Sequence, residues 1–111
     1  MINYSTFMQI EIHVGTIIQA EDLPAARVPA FVLTIDFGPL GLLKSTSQIT
    51  NTYTKNELIG KQVYGVTNLE PKQVGKVMSQ CLVLGTYIDD EKTQVVLSGP
   101  DRPAKNGARL L

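Results

Sequence analysis

The chain has 111 residues, ten of them basic and ten acidic, so its formal net charge is zero at pH 7. This length fits one domain, residues 1–111, and the charge balance excludes a strongly basic, salt-driven polyanion binder but not a local basic patch. A single cysteine and a single histidine exclude an intramolecular disulfide and a metal site with several such ligands. No apolar run reaches the ~20 residues of a membrane span, and the N-terminus lacks a signal-peptide pattern, so we expect no membrane insertion and a cytoplasmic location.

The predicted elements begin with a long strand. Residues 10–20 alternate between apolar and polar side chains, which is typical of a half-buried strand. Gly15 within this strand predicts a bulge or a sharp bend. Before this strand, residues 6–9 could form one turn of helix. After it, the two prolines in residues 21–29 predict a loop.

A hairpin and one short helix are predicted next. Residues 31–37 and 42–49 alternate on either side of a Gly-Pro turn and form the two strands of the hairpin. A capping box at residues 54–57 and a C-cap glycine, Gly60, then predict only a turn or two of helix between them.

The second half of the chain returns to strands. We predict strands at residues 62–69, 81–88 and 94–98, a loop at residues 71–75 and a polar hairpin tip at residues 89–92. Three strands, a short helix and two further strands are in the order of the oligonucleotide/oligosaccharide-binding (OB) barrel, in which the sheet closes and loses its edges. We therefore predict an all-β fold: an OB barrel with one short helix and terminal extensions.

Several short segments, in a common order, resemble motifs of one known family. The segments are Glu11-Ile12-His13-Val14-Gly15-Thr16-Ile17, Lys44-Ser45-Thr46-Ser47-Gln48-Ile49-Thr50, Asn68-Leu69-Glu70-Pro71-Lys72-Gln73-Val74 and Ser79-Gln80-Cys81-Leu82-Val83-Leu84-Gly85. Over nearly its whole length the chain resembles the tRNA-binding-domain family. With Ala26-Arg27-Val28-Pro29-Ala30 and Pro100-Asp101-Arg102-Pro103, the resemblance is to the CsaA branch of secretion-associated, chaperone-like proteins. The resemblance implies an OB barrel, a cytoplasmic homodimer, tRNA binding and a proposed chaperone role for exported polypeptides.

The sequence departs from this family pattern at charged positions. His13 stands where the family usually has arginine, Lys72-Gln73 stands where two arginines are common, and Gln80 replaces the usual glutamate. Because a guanidinium fork holds phosphate better than a single ammonium, the missing arginines predict weaker RNA binding rather than a different fold.

Basic and polar side chains indicate where RNA would bind. Nucleic acid on an OB barrel lies across strands two and three, flanked by the loop after strand one and the loop between strands four and five. By this analogy the tRNA-binding residues are Arg27, Lys44, Ser45, Asn68, Lys72, Lys76 and Ser79. The alternative is that these charges are scattered and only keep the protein in solution.

Aromatic residues are few. They make up 6% of the chain, with no tryptophan. Tyr53 and Tyr64 are the candidates for base stacking, whereas Phe31 and Phe37 fall on an apolar stripe and are expected in the core. Because stacking platforms are scarce, recognition of a folded RNA by its shape and phosphates is favoured over tight binding of a single strand.

Catalytic and metal-binding interpretations are weaker. His13 could act as a general base oriented by Asp22 or Asp36, and Cys81 could act as a nucleophile. A solvent-facing histidine and a buried, inert thiol are the favoured alternatives. The acidic run at residues 89–91 is favoured as a solvated hairpin tip rather than a cation site. We therefore expect no enzyme activity, metal or cofactor.

The chain termini carry apolar residues that a small barrel cannot easily bury. Phe7, Met8, Leu110 and Leu111 are predicted to form a homodimer interface, unless both termini fold back on their own barrel. The favoured function is a non-catalytic tRNA-binding module with proposed chaperone activity towards unfolded or exported polypeptides. The alternative is mainly a peptide-binding export chaperone with weak or non-specific RNA binding.

Overall fold

The computed structural model describes residues 1–111. Its helices are α1 (Tyr4–Phe7) and α2 (Lys55–Leu58), with one 3-10 turn at Gly38–Leu40. Its strands are β1 (Ile12–Asp22), β2 (Phe31–Asp36), β3 (Leu42–Ser47), β4 (Gln62–Val66), β5 (Lys72–Val74), β6 (Val77–Ser79), β7 (Leu82–Val83), β8 (Gly85–Tyr87) and β9 (Val95–Leu97). Neither helix is long and apolar enough to cross a membrane.

A five-stranded antiparallel sheet forms the barrel, in the order β3-β2-β1-β4-β7. The long strand β1 pairs with β4 through residues 12–16 and with β2 through residues 16–22, so it belongs to both halves of the barrel. The pairing with β2 shifts by one residue between Ile17 and Gln19. This arrangement confirms the predicted OB-type barrel, with the β5–β6 and β8–β9 hairpins appended to it.

The predicted bulge at Gly15 is wrong in position, because the register shift lies at Ile18. Because Gly15 has no side chain, it instead leaves room for core side chains to pack against β1. A Cβ atom at this position would lie 2.5 Å from Ile35 Cγ2 and 2.8 Å from the ring of Phe37, and a Cβ at Gly65 would lie 2.7 Å from Phe37 Cζ. The ring of Phe37, which is fully buried, therefore rests on two strand glycines.

The rest of the core also follows the sequence pattern. Phe31 packs in the same buried cluster as Phe37, as predicted, together with side chains from β1, β2, β4 and α2. The capping box of α2 is present: the Thr54 hydroxyl accepts from Glu57 N, and the Glu57 carboxylate accepts from Thr54 N. Gly60 has a φ of +88°, as expected for a C-cap glycine.

Three local predictions are wrong. The N-terminal helical turn lies at Tyr4–Phe7 rather than at residues 6–9. The predicted loop at residues 71–75 includes β5, which pairs with β6 across a turn at Gly75. The predicted strand at residues 81–88 divides in two, because Leu84 bonds to Tyr64 and Ser98 while β7 stays on β4 and β8 turns to pair with β9.

The C-terminal segment completes the sheet beside β1. Val14 N donates to Ala108 O at 2.9 Å, Gly107 N donates to Val14 O at 2.8 Å, and Leu110 N donates to Ile12 O at 2.8 Å. Since β2 pairs only with the other half of β1, the tail occupies an edge that would otherwise be open.

Candidate nucleic-acid interface

Two grooves lie next to each other on the outside of the barrel. The larger groove has a volume of about 720 Å³ and is lined by the loop between β1 and β2, by β3 and by the hairpin β5–β6. The smaller groove has a volume of about 470 Å³ and lies between β3 and β6. Val77, Met78 and Gln80 line the smaller groove, whereas Ser79 and Cys81 line the larger one. This segment therefore forms the ridge between the two grooves.

Five of the seven predicted tRNA-binding residues line these grooves. Arg27, Lys72 and Ser79 line the larger groove, and Lys44 and Lys76 line the smaller one. The four basic side chains belong to exposed residues. None of them has a carboxylate partner, since the two ion pairs in the protein join other residues. We call these five residues the RNA face, after the tRNA-binding role that the sequence predicts for them.

The ridge between the grooves is held to β3 mainly by side chains. Ser79 Oγ accepts from Thr46 N at 3.1 Å, and Gln80 Oε1 accepts from Lys44 N at 2.9 Å. One backbone bond, from Gln80 N to Lys44 O at 2.7 Å, completes the seam. Because the Ser79 hydroxyl accepts in this seam, its own proton stays available to donate into the larger groove.

Ser45 is in the predicted tRNA-binding set, but in the structure it lines neither groove. Its side chain is buried, with 1% exposure, and lies beside Cys81, whose thiol donates to Lys44 O at 3.8 Å. Burial is the main cause that raises the pKa of Cys81 to about 12, with the Ser45 hydrogen bond opposing it. Cys81 is therefore the inert, buried thiol that the sequence predicts.

Asn68 has a different position from the one predicted. It lines neither groove, and its side chain holds the N-terminal segment: Oδ1 accepts from Glu11 N at 2.9 Å and Nδ2 donates to Gln9 O at 2.7 Å. Arg109, in the C-terminal tail, also binds this segment, because its Nη2 donates to Met8 O at 2.6 Å. We call Asn68 and Arg109 the terminal staple.

His13 is buried, so its predicted solvent-facing position is wrong. The C-terminal tail covers it, and Nδ1 donates to Gly107 O at 2.9 Å while Nε2 lies 3.4 Å from Glu11 Oε1. Neither aspartate proposed to orient it is its partner, because Asp22 pairs with Lys55 and Asp36 accepts from Gly38 N. The arrangement thus anchors the tail rather than forming a general-base site.

Neither of the two tyrosines that the sequence predicts as base-stacking platforms lies in a groove. The Tyr53 hydroxyl accepts from Leu97 N at 3.0 Å, and the Tyr53 ring packs against the core. Tyr64 is half-buried and lines neither groove. Tyr87, which the sequence analysis did not single out, is 56% exposed and lines the larger groove. Its place at the end of a strand, just before the polar hairpin tip, is the pattern that could have found it.

The acidic tip at residues 89–91 has the structure of a capped turn. The Asp89 carboxylate accepts hydrogen bonds from the Thr93 hydroxyl and from the backbone of Thr93 and Gln94. These bonds, led by the Thr93 hydroxyl, lower the pKa of Asp89. Its acceptor capacity is therefore used within the hairpin.

The predicted dimer residues differ in exposure. Phe7, Met8 and Leu110 are half-buried on their own barrel, and Leu111 is fully exposed. The C-terminal residues thus fold back only in part, and the dimer stays a prediction.

Comparisons with known proteins agree with this fold and with the tRNA-binding motifs. A family described as "Putative tRNA binding domain" matches residues 12–109. The methionine–tRNA ligase of Flavobacterium johnsoniae is 34% identical over 110 residues, which is 99% of this chain but 15% of the ligase. In the Bacteroides fragilis ligase the identity is 31%, over 98% of this chain and 16% of the ligase. The chain therefore spans only a small part of these relatives.

Two solved structures match this chain along nearly their whole length. The chaperone CsaA from Bacillus anthracis str. Ames superimposes with a TM-score of 0.93 at 40% identity, covering 100% of this chain and 99% of that one. The CsaA chaperone protein from Picrophilus torridus gives a TM-score of 0.91 at 39% identity, with 100% of both chains covered. The chain therefore belongs to the tRNA-binding-domain family, and within that family it is of the CsaA type.

Proposed function

We propose that this protein is a non-catalytic, cytoplasmic module that binds tRNA across its RNA face. One observation carries the proposal: the two grooves are lined by four of the ten basic residues and by none of the ten acidic residues. A phosphate backbone laid across the ridge would meet Arg27 and Lys72 on one side and Lys44 and Lys76 on the other. Backbone contacts of this kind supply most of the affinity of non-specific RNA binding.

The shape of a folded RNA fits this surface better than an extended single strand does. Each base stacked on an aromatic ring contributes about 1–3 kcal/mol, and Tyr87 is the exposed aromatic residue that lines a groove. One platform supports a single stacked base, so phosphate contacts and RNA shape must supply the rest of the affinity.

A homodimer would strengthen such binding. The terminal staple brings Ile10, Leu69 and Leu111 to neighbouring parts of the surface, and all three are exposed apolar side chains. Covering this terminal face with a second copy would place two RNA faces on one particle. Two modest sites on one ligand then act together through effective concentration.

The first experiment is a titration of total tRNA into the protein at low and at physiological salt, with a scrambled polyanion as control. We expect saturable tRNA binding that survives physiological salt and that the polyanion does not match. Binding that disappears with salt, or that the polyanion equals, would contradict the proposal.

Charge reversal then tests the face itself. Lys72→Glu with Lys76→Glu should weaken tRNA binding by about tenfold or more, because it removes two phosphate contacts and adds repulsion. The matched control is Lys92→Glu with Lys105→Glu, which changes the net charge equally at exposed residues outside both grooves. Equal losses in the two double variants would show that only the net charge matters.

Binding of unfolded or exported polypeptides is the second candidate. More than half of the residues that line the larger groove are hydrophobic, and two similar solved structures are of proteins called chaperones. An extended apolar peptide could occupy this groove with little dependence on salt. The test is the aggregation rate of an unfolded client protein in the presence of this protein. Two variants are compared with the unmodified protein: Val28→Asn inside the groove and Val96→Asn outside it. Equal protection by both variants, or no protection by the unmodified protein, would count against this candidate.

A further inference from the structure

The smaller groove contains a polar side chain, that of Gln80, which is not part of the RNA face. Gln80 lines the groove together with Lys44 and Lys76. Its Oε1 must face β3, because Lys44 N donates to it at 2.9 Å and a backbone N–H can bond only to the oxygen end of an amide. The Nε2 group is then left as a donor, and it makes no hydrogen bond within the protein.

The lining of this groove is suited to a single anion. Its seven residues include two ammonium groups, the hydroxyl of Thr34 and the amide of Gln80, and none carries a carboxylate. Thr34 and Lys44 lie directly opposite each other in the β2–β3 ladder, so their side chains share one face. Leu42, Val77 and Met78 supply the remaining apolar wall.

We propose that the smaller groove is a phosphate subsite for the RNA backbone, and that Gln80 sets its charge. Lys44 and Lys76 balance the phosphate charge, while Gln80 Nε2 donates a hydrogen bond to one of its oxygens. The neutral amide distinguishes this chain, since the glutamate that the family usually has at this position could accept from Lys44 N equally well but would neutralise one lysine and repel the phosphate. This inference rests on the proposed tRNA binding and names the part of that surface that holds one phosphate.

Gln80→Glu is the variant that tests the proposal. It keeps the size of the side chain and the acceptor for Lys44 N, and it changes only the charge in the groove. We expect tRNA binding about three- to tenfold weaker at physiological ionic strength, and a slope of log affinity against log salt that is smaller by about 0.7–0.9, the contribution of one phosphate. Gln94→Glu is the control, because Gln94 is exposed and lines neither groove.

A second variant separates charge from hydrogen bonding. Gln80→Met removes both the donor and the acceptor for Lys44 N without adding charge, so it should weaken binding less than Gln80→Glu and leave the salt slope unchanged. Thermal unfolding of both variants shows whether the seam to β3 survives the change. If the unmodified protein binds tRNA and Gln80→Glu behaves like Gln94→Glu, the phosphate subsite is refuted while the proposed tRNA binding stands. If the unmodified protein does not bind tRNA, the subsite and the proposed function are both refuted.

Discussion

The contact between Phe37 and Gly65 gives a sharp test of how this barrel is packed. Gly65→Ala would place a methyl group 2.7 Å from Phe37 Cζ and 3.2 Å from Phe37 Cε1. The ring cannot withdraw, because Phe37 is fully buried and also lies against Gly15 on the neighbouring strand. Added volume in a tightly packed core typically costs about 1–3 kcal/mol, and we expect Gly65→Ala to lie within that range.

Shortening the ring should rescue this variant. Phe37→Leu removes the Cε and Cζ atoms that meet the new methyl group, and alone it should cost about 1–3 kcal/mol through lost burial and a cavity. In the double variant the alanine methyl fills part of that cavity. We therefore expect the double variant to be more stable than the sum of the two single effects predicts, by about 1 kcal/mol or more.

Urea denaturation of the four proteins in this cycle measures the coupling free energy. The matched control is Gly99→Ala combined with Phe37→Leu, because a Cβ at Gly99 would clash with the backbone of Gln62 and not with the ring. That pair should be additive within about 0.5 kcal/mol. Additivity of the Gly65 pair as well would refute the idea that the ring rests on the strand glycines.

Two other predictions follow from the buried thiol and from the terminal staple. Because the pKa of Cys81 rises from 9.0 to about 12 on folding, the thiol ionises first in the unfolded chain; stability should fall from pH 9 upwards by up to about 1.4 kcal/mol per pH unit more than in Cys81→Ala. Parallel pH profiles for the two proteins would contradict this reasoning. In the proposed homodimer, Asn68→Ala and Arg109→Met should each raise the dissociation constant by about tenfold, since each removes hydrogen bonds worth about 0.5–3 kcal/mol that order the N-terminal segment. Sedimentation measures this change, with Arg102→Met as the control, and an unchanged dimer would show that the staple has no role in assembly.

The elements that could be predicted from the sequence are those whose cause is local. The capping box at Thr54 and Glu57 specifies the start of α2 within four residues, and Gly60 specifies its end. Alternation identified β2 and β3 because each buries one face against the same core, whereas the first four residues of β1 are all buried. The order of these elements was then sufficient for the OB-type barrel.

The missed features depend on contacts between distant segments. The C-terminal tail bonds to His13 through Gly107 O, and strand alternation near position 13 carries no information about that contact. The hairpin β5–β6 is too short to show a period, and β6 packs beside β3, which lies about thirty residues earlier in the chain. Asn68 is polar and exposed, so its hydrogen bonds to the N-terminal segment could not be distinguished from a ligand-binding role.

Ser45 is a different kind of error, because the information needed was present. In β3 the side chains of Leu43 and Ser45 share one face of the strand, whereas Lys44 points to the other. A two-residue period therefore places Ser45 with the core and Lys44 with the groove. The motif that carries both residues suggested one shared role, and strand geometry separates them.

The neutral net charge of the chain is compatible with RNA binding because the charges are segregated. With four basic and no acidic residues lining the grooves, the rest of the protein keeps six basic and ten acidic residues. A phosphate backbone is thus attracted to one face and repelled by the remainder, which orients the encounter. A uniformly basic protein of this size would bind polyanions through any face and with a steep dependence on salt. Segregation instead limits the number of phosphates that can be held at once, so the shape of the RNA contributes a larger share of the selectivity.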